Sequence, residues 1–129
     1  MSEQRGRCLC GGVTYVVTSP LRDVLNCHCH RCRRWTGHHM AATSAAIEDI
    51  RVDDDTLLGW YRPDEHAAYG FCRGCGSSLF WQAASDPDRW SVCAGTLDPP
   101  TGLATVEAWW VSEASDYHQR PPLPERATE

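Results

Sequence analysis

Five of the six residues from Cys27 to Cys32 are cysteine or histidine, within the run NCHCHRCRR (26–34). Thiolate and imidazole are the side chains that bind zinc and related transition metals most readily. The other cysteines fall at 8, 10, 72, 75 and 93, so that Cys8-x-Cys10 and Cys72-x-x-Cys75-Gly76 form two further local groups. A tetrahedral zinc site takes four ligands with Zn–S near 2.3 Å, which sets the sulfurs roughly 3.8 Å apart. A C-x-x-C-G turn supplies two such sulfurs, and a C-x-C segment supplies two more. Cys8, Cys10, Cys72 and Cys75 therefore make one closed four-thiolate set, of the structural kind that adds to folding free energy.

Cys27, Cys29 and Cys32 are then left with three thiols. Three protein ligands and one open position is the pattern of a catalytic zinc. Competing partitions stay open. One cysteine pair could join the 27/29/32 run instead, or His28, His30, His38 or His39 could close it as a second structural site. Thiolates also suit iron. Cys93 stands among apolar neighbours in WSVCAGTL and reads as a packed, inert thiol.

A three-thiolate zinc carries a net charge of −1, which favours thiol coordination over carbonyl polarisation. Arg31, Arg33 and Arg34 can offset that charge, and a guanidinium such as that of Arg33 can hold a substrate carboxylate. The bland alternative is a solvated basic loop. His28 and His30 can carry protons near neutral pH, or point to solvent, or make hydrogen bonds that orient the ligands. The six tryptophans could line a pocket, but in a small β domain most belong to packing. In a strand, Trp109 and Trp110 would face opposite sides.

The elements that position these groups follow from composition and pattern. A chain of 129 residues suits one domain. Segments 12–18, 23–27, 56–62, 66–72, 78–82, 90–97 and 104–112 read as short strands, and 38–46 fits helix or strand. The 56–62 and 66–72 segments form a pair around Pro63-Asp64. The acidic stretch 48–55 reads as a turn region around IRV. Nothing predicts a long amphipathic helix. The expected fold is all-β with little helix, a core over about 5–112 and an extended tail over 113–129 that holds three of the eight prolines.

The net charge is −5, and all twelve basic residues are arginine. That balance lacks the basic field of a nucleic-acid binder. No apolar run is long enough to span a membrane, and the polar start MSEQRGR has no signal-peptide core. The expectation is a cytoplasmic protein, where reduced cysteines serve as metal ligands rather than disulfides.

RCLCGGVTY (7–15), NCHCHRCRRWTG (26–37), FCRGCGSSLFW (71–81) and AGTLDPP (94–100) together resemble the glutathione-dependent formaldehyde-activating family. That family includes the centromere protein V branch and has an Mss4-like, zinc-pinned β fold. The resemblance spans nearly the whole domain. It implies two zinc ions, a structural one on Cys8, Cys10, Cys72 and Cys75 and a catalytic one on Cys27, Cys29 and Cys32. It also implies carbon–sulfur lyase chemistry on a thiol–aldehyde adduct of the S-hydroxymethylglutathione type, with glutathione a candidate partner. The rival expectation is a non-catalytic zinc module that binds a protein. Chromatin association, as in the centromere branch, fits poorly with an acidic chain that has no lysine.

Overall fold

Residues 14–17, TYVV, are β-branched or aromatic throughout, and such side chains pack best on a pleated, half-buried surface. The same logic runs through most of the chain. The computed structural model describes residues 3–128. In chain order its strands are β1 (Gln4–Arg7), β2 (Thr14–Val17), β3 (Val24–Cys27), β4 (Met40–Ala46), β5 (Ile50–Val52), β6 (Leu58–Tyr61), β7 (Ala67–Cys72), β8 (Ser78–Ala83), β9 (Arg89–Cys93) and β10 (Thr105–Trp109). One helix, α1 (His30–Thr36), lies between β3 and β4. The all-β class with little helix expected from the sequence is the observed one. Among the described residues no helix is long and apolar enough to cross a membrane.

The elements divide into two compact units, one running to Arg22 and through Thr43–Gly102, the other holding Asp23–Ala42 and the chain from Leu103 onward. In the first unit β2 pairs antiparallel with β1 on one side and β5 on the other. Strands β6, β7, β8 and β9 follow as an antiparallel meander. Tyr15, Val13, Val16, Val17, Leu79, Phe80 and Val92 are fully buried. The Tyr15 ring meets Phe80 edge-on at 5.1 Å, and its hydroxyl lies 2.6 Å from Thr96 Oγ1. Burial raises the Tyr15 phenol above its ordinary pKa.

Strand β1, QRGR, has no apolar side chain to mark it and was not expected. It forms because Gly6, opposite Tyr15, lets the backbone lie flat against that ring. A Cβ at Gly6 would come within 2.3 Å of the Tyr15 ring and 2.6 Å of the Thr96 carbonyl oxygen. Gly6→Ala is therefore expected to destabilise the fold by about 1–3 kcal/mol, the usual cost of overpacking. A thermal melt tests this, and an unshifted midpoint would show that β1 yields without loss.

In the second unit β3 pairs antiparallel with β4 and parallel with β10. The ambiguous 38–46 segment is thus a strand over most of its length. Val24, Asn26, His28, Cys32, Met40 and Ala108 are buried. Helix α1 is short and local in origin. Cys29 is its N-cap, the Cys29 sulfur accepting the Cys32 N–H at 3.4 Å. Gly37 closes it with φ 81°, giving its N–H to the Arg33 carbonyl at 2.9 Å. The left-handed φ explains the glycine.

Strand β10 stops at Trp109, earlier than expected, because Trp110 turns left-handed with φ 60° into a single 3-10 turn at Val111–Glu113. Trp109 and Trp110 are therefore not alternating strand neighbours. The Trp109 indole donates to Glu107 Oε1 at 2.7 Å, and the Arg126 guanidinium stacks 4.7 Å over the Trp109 ring. The chain after Glu113 returns along β10. Ala108 donates to the Pro124 carbonyl at 3.0 Å, and Arg126 donates to the Ala108 carbonyl at 2.9 Å. This return carries Tyr117 and His118 back toward α1's C-terminal end, where the Tyr117 hydroxyl meets His38 Nδ1.

Candidate functional site

Cys8 and Cys10 sit in the loop between β1 and β2, and Cys72 and Cys75 frame the turn between β7 and β8. Gly76 adopts φ 82°, and its N–H reaches the Cys72 carbonyl at 2.7 Å. That positive φ is why the turn ends C-x-x-C-G. All four sulfurs lie within 4.8 Å of one another. Cys8 and Cys10 are 3.6 Å apart, and Cys10 and Cys72 are 3.7 Å apart. These separations match the roughly 3.8 Å of a tetrahedral four-thiolate set.

Backbone amides point at the sulfurs. Gly12 N–H donates to Cys10, Val13 N–H to Cys8 and Gly74 N–H to Cys72, each at 3.3 Å. Donated hydrogen bonds favour the thiolate, the form a metal needs. The Ser77 hydroxyl, 3.1 Å from the Cys75 sulfur, is the first cause that brings the Cys75 thiol down to about 5. By distances and donors this group fits a metal ion. Cys8 and Cys72 are fully buried, and Cys10 is exposed.

The second group is built by the strand-to-helix corner of the other unit. Cys27 ends β3, Cys29 caps α1 and Cys32 lies in its first turn. Their three sulfurs also lie within 4.8 Å of one another. Among the described residues no fourth cysteine, histidine or carboxylate joins that set. Cys29 is driven far below the ordinary thiol range, first by its hydrogen bond with Cys27 and then by Cys32. Cys27 is raised to about 11, chiefly by the same bond with Cys29, and Cys32 is raised by its bonds to both. Three thiols so close divide their protons around one thiolate, and a metal resolves that crowding by binding all three deprotonated. This group fits a metal ion too.

Around it, His30 is bound to Glu113. The His30 backbone N–H donates to Glu113 Oε1 at 2.7 Å, and ring Nδ1 lies 3.0 Å from the same oxygen. These bonds, the backbone one first, hold the Glu113 carboxyl below its usual value. Arg33 Nε donates to the Glu113 carbonyl at 3.3 Å. Glu113 stands 83 residues from His30, and no short motif announced it.

His28 does not face solvent. It is 4% exposed and lies 5.0 Å from the His39 ring by centroids. Burial, then the charges of Arg120, His118 and His38, lowers its pKa. His39 falls to about 4, first through burial and then through its histidine neighbours. Neither His38 nor His39 belongs to the three-sulfur group. They gather instead with His118, whose part no sequence motif indicated. Cys93 is half-buried, 3.4 Å from Ser78 Oγ, with its thiol raised to about 11 by burial.

Residues 3–113 match the glutathione-dependent formaldehyde-activating enzyme family. An uncharacterized lyase of Schizosaccharomyces pombe is 28% identical over 81 residues, 63% of this chain and 58% of that protein. The chain thus spans little more than half the length of that relative. The crystal structure of a Rhodobacter sphaeroides protein is similar with a TM-score of 0.64 and 29% identity, over 78% of this chain and 97% of that one. With both cysteine groups assembled and the match running from β1 to the turn after β10, the chain belongs to the glutathione-dependent formaldehyde-activating enzyme family.

Proposed function

We propose that the chain is a zinc-dependent carbon–sulfur lyase-type enzyme acting on a thiol–aldehyde adduct, with glutathione as the thiol. The observation that carries the reading is the contrast between the two cysteine groups: four sulfurs at 8/10/72/75, three at 27/29/32. The family and the lyase-named relative supply the reaction class. In this reading Cys8, Cys10, Cys72 and Cys75 hold a structural zinc, and Cys27, Cys29 and Cys32 hold a catalytic one. A zinc held by these three thiolates would supply the positive charge that lowers the pKa of a thiol brought to it.

The chain's own groups do the rest. His30, with Glu113 Oε1 on its Nδ1, is the exposed imidazole next to Cys29 and accepts the thiol proton. Arg33, held by the Glu113 carbonyl, binds a carboxylate of glutathione and offsets the negative charge of the site. In the addition direction a C–S bond forms at the aldehyde carbon, the carbonyl π bond breaks, and the aldehyde oxygen takes up a proton. The reverse releases thiol and aldehyde. No electron is lost or gained. A reducing compartment such as the cytoplasm keeps both the cysteines and the substrate thiol available.

Cobalt substitution tests the site. Sulfur-to-cobalt charge-transfer absorption counts bound thiolates, and glutathione is expected to add a fourth at the 27/29/32 position. Arg33→Ala is expected to weaken glutathione about tenfold, the loss of one charge-assisted pair, and to leave mercaptoethanol nearly unchanged. A spectrum saturated before any thiol is added would transfer the argument to a protein-binding zinc module. Glutathione binding without faster hemithioacetal formation would remove the lyase.

A further inference from the structure

We propose that His38, His39 and His118 form a third metal site, one that takes a divalent first-row transition ion on imidazole nitrogens alone. Their ligand atoms lie within 4.8 Å of one another, and the group contains no cysteine. Ring centroids are 4.2 Å apart for His38–His39, 4.5 Å for His38–His118 and 5.7 Å for His39–His118. A tetrahedral zinc with Zn–N of about 2.0–2.1 Å sets its nitrogens roughly 3.3 Å apart, so modest ring rotations close the set.

An independent observation points to the same ligand. His39 Nδ1, His118 Nε2 and His28 Nε2 are buried with no hydrogen-bond partner. Native proteins seldom leave such atoms unsatisfied, and three in one cluster ask for a common partner. His28, 4% exposed, packs 5.0 Å from His39 and 6.5 Å from His118 by ring centroids. A shared ion satisfies His39 and His118 directly, and a water carried by that ion gives His28 Nε2 its partner.

The remaining groups are arranged to suit a cation. Tyr117 hydroxyl contacts His38 Nδ1, which commits that ring to offer Nε2, as partners of metal-bound histidines commonly do. The nearby cation Arg120 is neutralised by Glu125, with contacts of 2.7 and 3.3 Å. Imidazole nitrogens, unlike thiolates, bring no negative charge to an ion they bind. The fourth place then suits water or an anionic oxygen, unlike the thiol-seeking three-sulfur group.

Cobalt(II) chloride added to the zinc-loaded full chain tests the site. One further equivalent of cobalt per chain is expected, with visible d–d absorption that lacks a sulfur-to-cobalt band. His118→Gln and His38→Gln should each weaken that cobalt at least tenfold while zinc content stays as in the parent, which also reports that the variants fold. His66→Gln, at an exposed histidine outside the cluster, should change nothing. The proposal is overturned if no cobalt binds beyond the zinc complement, or if the d–d absorption persists undiminished in both cluster variants.

Discussion

Cys72→Ser is expected to lower the melting temperature by roughly 10–20 °C, the equivalent of about 3–5 kcal/mol lost with a structural metal. The position concentrates three costs. Cys72 is fully buried, so a serine hydroxyl there would need a new partner. Its sulfur accepts the Gly74 N–H at 3.3 Å, a bond that helps hold the turn after β7. It also meets Cys10, 62 residues away in the chain, at 3.7 Å. A metal held there would close a long loop, and such closure restricts the unfolded chain most. Native domains keep only about 5–15 kcal/mol of stability, so a loss of this size is a large part of the whole. Thermal melts alongside zinc analysis decide it. A variant that keeps both its midpoint and its zinc would show that the four sulfurs hold nothing that matters to folding.

The strands legible in the sequence are those whose side chains carry the signal themselves. TYVV in β2 and the β6–β7 pair, joined as expected around Pro63-Asp64, show this. What escaped is structure whose cause lies elsewhere in the chain. QRGR becomes β1 because Tyr15 needs a glycine opposite it. IRV, read as part of a turn region, becomes β5 because β2 has a second edge to pair. Helix α1 has no apolar stripe; a cysteine cap and a left-handed glycine set its ends.

The candidate metal groups show the same division. Both cysteine groups could be read from spacing, because C-x-C, C-x-x-C and C-x-C-x-x-C are local geometries. The partition that pairs 8/10 with 72/75 depends on β1 and β7, but tetrahedral arithmetic anticipates it. Glu113 and His118 carry no such signal. Each reaches its partner across about eighty residues, Glu113 through the turn after β10 and His118 through the returning tail.

The 27/29/32 group should respond in the opposite way to the loss of one ligand. Cys29→Ser is expected to release one metal ion per chain, half of the proposed two-zinc complement, and to leave the melting temperature within a few degrees of the parent. The reasons are local. The group closes only a few residues of chain, so a metal there removes little unfolded-state freedom. Serine is also among the best N-cap residues. Its hydroxyl can accept the Cys32 N–H that the Cys29 sulfur accepts at 3.4 Å, so α1 keeps its start. Hydroxyl oxygen is a poor substitute for thiolate at zinc, so the metal is lost while the helix remains. Metal analysis and a thermal melt on the same sample read both effects. Unfolding of Cys29→Ser together with a stable Cys72→Ser would exchange the roles assigned to the two groups. Full zinc retention in Cys29→Ser would mean that a nearby residue completes the site, and the open position on which thiol binding depends would be gone.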